Sequence, residues 1–313
     1  MTPWAATRPP RALAAAFALA LAVTAGSCAS DQSRRQAAGW TELGNAWAEL
    51  GDWDKAGDAW SRAIALDPGQ GVAGYNLSRA LAETGKYDES IAKSDEYLAS
   101  DPDNAAVLSV KAYALHKAGR DGEALVAYER VVTLNGGDSV SAFNLAALLE
   151  AAGRPGDAME RYRSVLDSEP GHAEASYRLG LLLAASGDTA GAEEALPLLA
   201  LYLEARPESA GGRAALALAQ EKTGRFMEAM ESYAAAVAKD AADSYSAFAL
   251  ARLRLTVAED GPGGLSALKS AIDNGFDDRE LAAALLDSPK LAAKEDVRAL
   301  LAEAGLLSPA DGK

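Results

Sequence analysis

Six glycines stand in near-perfect register along the chain: Gly51, Gly85, Gly119, Gly153, Gly187 and Gly224, separated by 34, 34, 34, 34 and 37 residues. A small residue follows each at a fixed offset, Ala56, Ser90, Ala124, Ala158, Ala195 and Ala229, the fifth displaced by the same three residues. Proline marks a third point of the period at Pro68, Pro102, Pro170 and Pro207, with Gly136 and Ala241 where the spacing puts two more. A period of this length is one helix–turn–helix unit, which buries its apolar face only by stacking on neighbouring copies. The expectation is an all-α solenoid.

The first copy, residues 37–70, shows the physics of the unit. Trp40, Leu43, Gly44 and Trp47 share one face of a first helix at offsets of three, four and seven. Gly51 ends that helix by entering the left-handed region. Trp53, Ala56, Trp60 and Ala63 line a second helix, which Pro68 helps to terminate. Gly44 and Ala56 are small where two helices approach, and the large residues fill the space around them.

These residues resemble the tetratricopeptide repeat almost without departure. The resemblance implies a right-handed superhelix of units at about 37–70, 71–104, 105–138, 139–172, 173–209 and 210–243, with a degenerate seventh from Ser244, an array over 37–264. Ser90 and Ser94 stand where Ala and an aromatic are usual, and Asp121 and Pro155 replace an aromatic. The fifth unit is three residues longer and carries Pro197 where its second helix runs, which predicts a kink or a late start there. From Leu265 the pattern changes, and 265–307 reads as a helical cap over the last exposed apolar face, with Gly275 as a helix C-cap and a polar tail over 308–313.

The N-terminus is of a different kind. Arg8 and Arg11 precede an uninterrupted apolar and small run of 14 residues, Ala12 to Ala25. That is a signal-peptide layout over 1–27, and the run is shorter than the roughly 20 residues of a spanning helix. Ala25-Gly26-Ser27-Cys28 resembles the bacterial lipoprotein cleavage box, which implies a lipidated Cys28 as the first mature residue. Ordinary secretory cleavage nearby is the alternative. Residues 28–36 then read as the lipidated cysteine and a short tether holding the folded part near a membrane.

Chemistry is scarce. Acids outnumber bases 45 to 30, a formal net charge of −15, with no Lys/Arg cluster to outweigh it, so nucleic acid is not an expected partner. One Cys and two His, His116 and His172 in different units, exclude a disulfide framework and a Cys/His zinc site. No phosphate loop or metalloprotease element is present, so no catalytic residue, metal or cofactor is implied. Glu193-Glu194 and Asp277-Asp278 read as solvated helix ends. Asn76-Leu77-Ser78 fits a glycosylation pattern that helix placement makes incidental.

In the resembled family the first helices build a concave groove. The positions that face it there are Thr41, Tyr75, Ser109, Phe143, Tyr177, Ala214 and Phe248 in this chain. The aromatic members, Tyr75, Phe143, Tyr177 and Phe248, either grip an extended peptide or partner helix, or only pack between neighbours. Asn45, Asn76 and Asn144 either bond a ligand backbone or satisfy neighbouring helices. Asn45 and Asn76 match two members of the family's carboxylate clamp, but Thr41, Ala106 and Val110 stand where its cations belong, so that mode is rejected. The expected function is a non-catalytic, membrane-anchored protein-interaction scaffold, resembling the tetratricopeptide lipoproteins of the bacterial cell envelope. It would face the periplasm, with the outer membrane favoured because Ala29, not Asp, follows Cys28. The alternative is a lipoprotein that binds peptidoglycan glycans or regulates cell-wall enzymes.

Overall fold

The computed structural model describes residues 29–136 and 138–307; the leader, Cys28 and the tail lie outside them. Among the described residues there are 16 helices and no strand. The first helices of successive repeats are α1 (Ala29–Glu49), α3 (Gly71–Glu83), α5 (Ala105–Lys117), α7 (Ser139–Ala151), α9 (Ala173–Ala185), α11 (Ala210–Lys222) and α13 (Ser244–Thr256). The second helices are α2 (Trp53–Leu66), α4 (Tyr87–Leu98), α6 (Asp121–Leu134), α8 (Pro155–Ser168), α10 (Thr189–Ala205), α12 (Phe226–Lys239) and α14 (Gly261–Asp273). Two helices, α15 (Arg279–Leu286) and α16 (Lys294–Glu303), follow. No described helix is long and apolar enough to cross a membrane.

The register glycines do what their spacing requires. All six have φ between 72° and 88°, a region that side chains with a Cβ rarely enter. After Gly51, Gly85, Gly119, Gly153 and Gly224 the next backbone N–H donates back to a carbonyl five residues earlier at 2.8–3.0 Å, closing a Schellman motif. At the other end, Asn104, Asp138, His172, Ser209 and Asp243 cap first helices by accepting a backbone N–H three residues on. The cap role uses His172 Nδ1 as acceptor, at 3.1 Å from the Ala175 nitrogen.

The chain divides into two compact units, Met1–Arg154 and Pro155–Lys313, so the division falls between the two helices of the fourth repeat. In the first unit each helix from α1 to α7 packs on the next, and α3 also packs on α5. In the second, α8 to α14 do the same, with α9 on α11 and α16 on α14 and α15.

Repeat cores form where a large second-helix side chain lies on a small first-helix residue. Trp60, 2% exposed, covers Gly44 so closely that a Cβ there would stand 2.5 Å from its Nε1. Tyr128, Tyr162, Leu199 and Tyr233 fill the same place in other repeats. The second repeat has Ser94 there instead, fully buried, its hydroxyl without a partner. Ser90 Oγ donates to the Ser78 carbonyl at 2.7 Å, and the large ring moves one turn on, to Tyr97. A Cβ on Gly71 would sit 2.5 Å from the Tyr97 hydroxyl, so first-helix glycines again make room.

Three expectations are corrected. The short tether expected over 28–36, read as preceding the first helix, is itself helical from Ala29 on and forms two turns of α1. Of the kink or late start expected near Pro197, the late start is absent: α10 begins two residues after Gly187, capped by Asp188, and runs 17 residues through the proline. The three extra residues lengthen the helix, and Gly191 is required where a Cβ would meet Ser186 Oγ at 2.9 Å. The cap expected to begin at 265 begins later, since α14 is the second helix of the seventh repeat. Beyond it, Phe276, Leu285, Leu286, Val297, Leu301 and Leu306 are buried against α13 and α14, and Ala292 N–H donates to the Leu255 carbonyl at 3.0 Å.

Candidate functional site

The groove positions do not behave alike, and the reason lies in what each side chain meets. Thr41 is buried, its hydroxyl donating to the Ala37 carbonyl at 3.0 Å, an ordinary way for a mid-helix threonine to be satisfied. Phe248 is 2% exposed and stacks on Phe276, ring centroids 4.1 Å apart and 6° between planes. It is a core residue of the capped end, so its proposed place in a binding stripe is withdrawn. Tyr177 is half-buried and stacks on Tyr202 at 4.7 Å and 24°. Tyr75 and Phe143 are also half-buried.

The asparagines tie helices together. Asn45 Oδ1 accepts from Trp60 Nε1 at 3.2 Å and from Asn76 Nδ2 at 3.0 Å, joining α1, α2 and α3. Asn144 Nδ2 donates to the Tyr128 hydroxyl at 3.2 Å, joining α7 to α6. Burial pushes the Tyr128 phenol above its usual range, outweighing the opposite pull of that hydrogen bond. Each of these groups answers a half-buried or buried polar atom that would otherwise be unsatisfied.

In the first unit these links set the first helices side by side. Asn45 and Asn76 join α1 to α3, α3 packs on α5, and Ser109 Oγ and Ser141 Oγ, 2.9 Å apart, join α5 to α7. Equivalent positions therefore share one face. On it, Val72 and Val140 are 62% and 64% exposed, each one turn before Tyr75 and Phe143. The sequence reading passed over both valines because it followed only the aromatic position. The signal was present: a branched apolar residue three before the aromatic in two units, out of register with the core pattern.

Of the acid pairs, Asp277-Asp278 stands at a helix end, Asp278 capping α15 by accepting from the Leu281 N–H at 2.9 Å, whereas Glu193 and Glu194 lie within α10 and are paired. Glu194 takes a two-pronged ion pair from Arg163 of α8, at 3.0 and 3.1 Å, and Glu193 pairs with Arg225 before α12 at 3.1 Å. Lys239–Glu208 and Arg252–Glu221 span neighbouring repeats in the same way. Apart from Arg252–Glu221, which is partly buried, these pairs are solvent-exposed and fix register more than stability. His116 Nδ1 lies 2.7 Å from Asp121 Oδ1 on the surface. Among the described residues no group of His, Cys, Asp and Glu is arranged to hold a metal ion.

Comparison with known proteins agrees with this geometry. Models of the tetratricopeptide repeat match residues 37–70, 75–139 and 149–197. No curated protein matches the chain. Among solved structures, a tetratricopeptide repeat protein from Parabacteroides merdae is 15% identical with a TM-score of 0.51, covering 88% of this chain and 99% of that one. The C-terminal part of a repeat-containing protein from Cytophaga hutchinsonii is 12% identical with a TM-score of 0.53, covering 75% and 95%. At such identities the likeness is one of fold. The chain belongs to the tetratricopeptide repeat family, and its architecture is that of a protein-interaction scaffold.

Proposed function

We propose that this scaffold is lipid-anchored in the bacterial cell envelope and docks a partner protein on the first-helix face of its first unit. The observation that carries the docking is the pair of exposed valines, Val72 and Val140, each one turn before a half-buried aromatic, on first helices linked side by side. Apolar side chains at 62% and 64% exposure contribute nothing to the core; a partner that covers them gains their burial, about 25 cal/mol per Å² removed from water. The anchor is supported by the sequence around Cys28, which lies outside the described residues. Since residues 29–36 are helical, a lipid on Cys28 would join the packed repeats through about two turns of helix. The role is adapter rather than enzyme. The glycan-binding alternative is less well supported, because Phe248 and Tyr177 give their ring faces to Phe276 and Tyr202.

Metabolic labelling of cells with a clickable fatty acid tests the anchor. Wild type is expected to label and to fractionate with membranes, and Cys28→Ala to do neither. Equal labelling of the two would refute it.

A further inference from the structure

We infer that the first unit carries a second docking surface, on the side of its second helices. It is a trough between α2 and α4 that takes an amphipathic helix of a partner protein, with two large apolar residues two turns apart and a Lys or Arg one turn beyond. This surface is separate from the first-helix face proposed above and does not depend on it.

The observation is a missing side chain. The residue after the small one of each period is large and apolar in five repeats, at Ile91, Leu125, Met159, Leu196 and Met230, and is glycine in the first, at Gly57. Nothing in the fold requires that glycine. It lies within α2 and has no positive φ. An added Cβ would stand 3.6 Å from the Ala80 Cβ and 3.8 Å from Leu77 Cδ1, ordinary contact distances. Glycine inside a helix is destabilising relative to alanine. The first repeat thus leaves open, at a cost in helix stability, space that its neighbours fill.

The open space has the shape of a helix bed. α2 and α4 each pack on α3, and between them lie two hollows of about 620 and 220 Å³ that share Ser61 and Leu77 in their walls. The smaller is lined by Gly57, and the larger by Ile64, Pro68 and Tyr97. Gly57 and Ile64 are seven residues apart, about 10.5 Å along α2. Residues i and i+7 of a helix lying alongside have the same rise, so one side chain enters each hollow. The walls use their backbone N–H and C=O groups within helices and offer an extended chain no backbone partner. A helix brings its own hydrogen bonds and needs only side-chain contacts.

The charge follows from the end near Gly57. Lys86 Nζ lies 3.7 Å from Asp54 Oδ1, so these two lining charges answer each other across the trough. Asp58 of α2 and Glu89 of α4 line the same hollow, and among the described residues neither is paired with a cation. At the other end Lys93 and Glu96 pair at 2.7 Å. The trough is therefore neutral at one end and carries two uncompensated carboxylates at the other. A Lys or Arg one turn beyond the residue over Gly57 reaches them, and the chain's net charge of −15 favours a basic partner.

The test uses full-length protein in detergent micelles and fluorescein-labelled 18-residue peptides. The host is a helix of Ala and Gln with Arg at positions 2 and 17 and Leu at 6 and 13, a layout that reads the same in either direction. One control moves the second Leu to 11, on the far side of the helix, and another places Pro at 9. Anisotropy titration should give binding at least about tenfold tighter for the 6/13 peptide than for either control, a factor in the range of single interface anchors. Gly57→Leu supplies the kind of side chain that the other repeats carry. It should raise the urea midpoint and weaken the 6/13 peptide at least about tenfold. Asp58→Asn/Glu89→Gln, at exposed positions, should weaken it and flatten its salt dependence. Val72→Asp, on the first-helix face, should leave it unchanged. Binding indifferent to Gly57→Leu, with circular dichroism showing that variant folded, overturns the inference. If Gly57→Leu does not fold, unchanged binding to the double carboxylate variant overturns it. Equal binding of the Pro-containing peptide makes the occupant an extended chain, and a peptide-free dimer that Gly57→Leu dissociates makes it a second copy; either result overturns the inference. Loss of binding in Val72→Asp places the peptide on the first-helix face, which overturns the inference and supports the docking reading. No binding by any peptide overturns the inference and leaves the docking reading untouched.

Discussion

The first and second units are built on one repeat frame, yet the aromatic groove positions are not all buried alike in them. In the first unit Val72 and Val140 are exposed one turn before the half-buried Tyr75 and Phe143. In the second, Tyr177 stacks on Tyr202, and Phe248 disappears beneath Phe276 of the cap. The repeat period fixes where a side chain starts from. What it meets is fixed by neighbours that the period does not describe, so a stripe read along equivalent positions is part surface and part core.

The sharpest way to break this comparison is to truncate both ends of the stripe. Phe248→Ala should cost about 3–5 kcal/mol in a urea melt, as a buried phenylalanine does, while Phe143→Ala, half-buried, should cost closer to about 1. Equal losses would mean that the two units do not differ. A second test asks where they are alike. Gly44 lies under Trp60 in the first unit and Gly180 under Leu199 in the second, and an added Cβ would stand only 2.5 and 2.8 Å from those side chains. Gly44→Val and Gly180→Val should therefore both overpack, each by about 1–3 kcal/mol. One silent substitution would show that the close approach is not shared.

The buried phenols Tyr128 and Tyr233 give a pH signature common to both units. Burial raises both above their usual range, whereas in the unfolded chain tyrosine ionises near pH 10. Above that pH the unfolded state binds fewer protons than the folded state, so stability falls as pH rises. Each phenol contributes up to about 1.4 kcal/mol per pH unit, and Tyr128→Phe should remove its share of the slope between pH 10 and 11. The smallest effect belongs to the second repeat alone. Ser94 buries a hydroxyl with no partner, so Ser94→Ala should stabilise by about 1 kcal/mol in the same melts.

Much of the fold was legible because its turns are local. A glycine with positive φ leaves its mark at every period, and five first helices begin on a polar side-chain cap. The lengthened fifth repeat was visible as a gap of 37, but whether the surplus entered a loop or a helix was not. It entered α10 because Asp188 caps the helix at its usual place and Gly191 fits beneath the preceding turn. Of the candidate site, Tyr75 and Phe143 were legible by position. Phe248 was misjudged because Phe276, which covers it, belongs to the part of the chain where the period ends. The ion pairs of Glu193 and Glu194 were missed although a rule exposes them: opposite charges recur 31 or 32 residues apart, close to one repeat, at Arg163–Glu194, Glu193–Arg225 and Glu221–Arg252.

Site-specific photocrosslinking in native envelopes tests the central claim most directly. A photoreactive amino acid is placed in turn at position 72, on the exposed face of the first unit, and at position 214, a groove position of the second unit, and the adducts are identified. The first-unit face as docking surface predicts a partner adduct from position 72 and none from position 214. An adduct from position 214 with none from position 72 would contradict it.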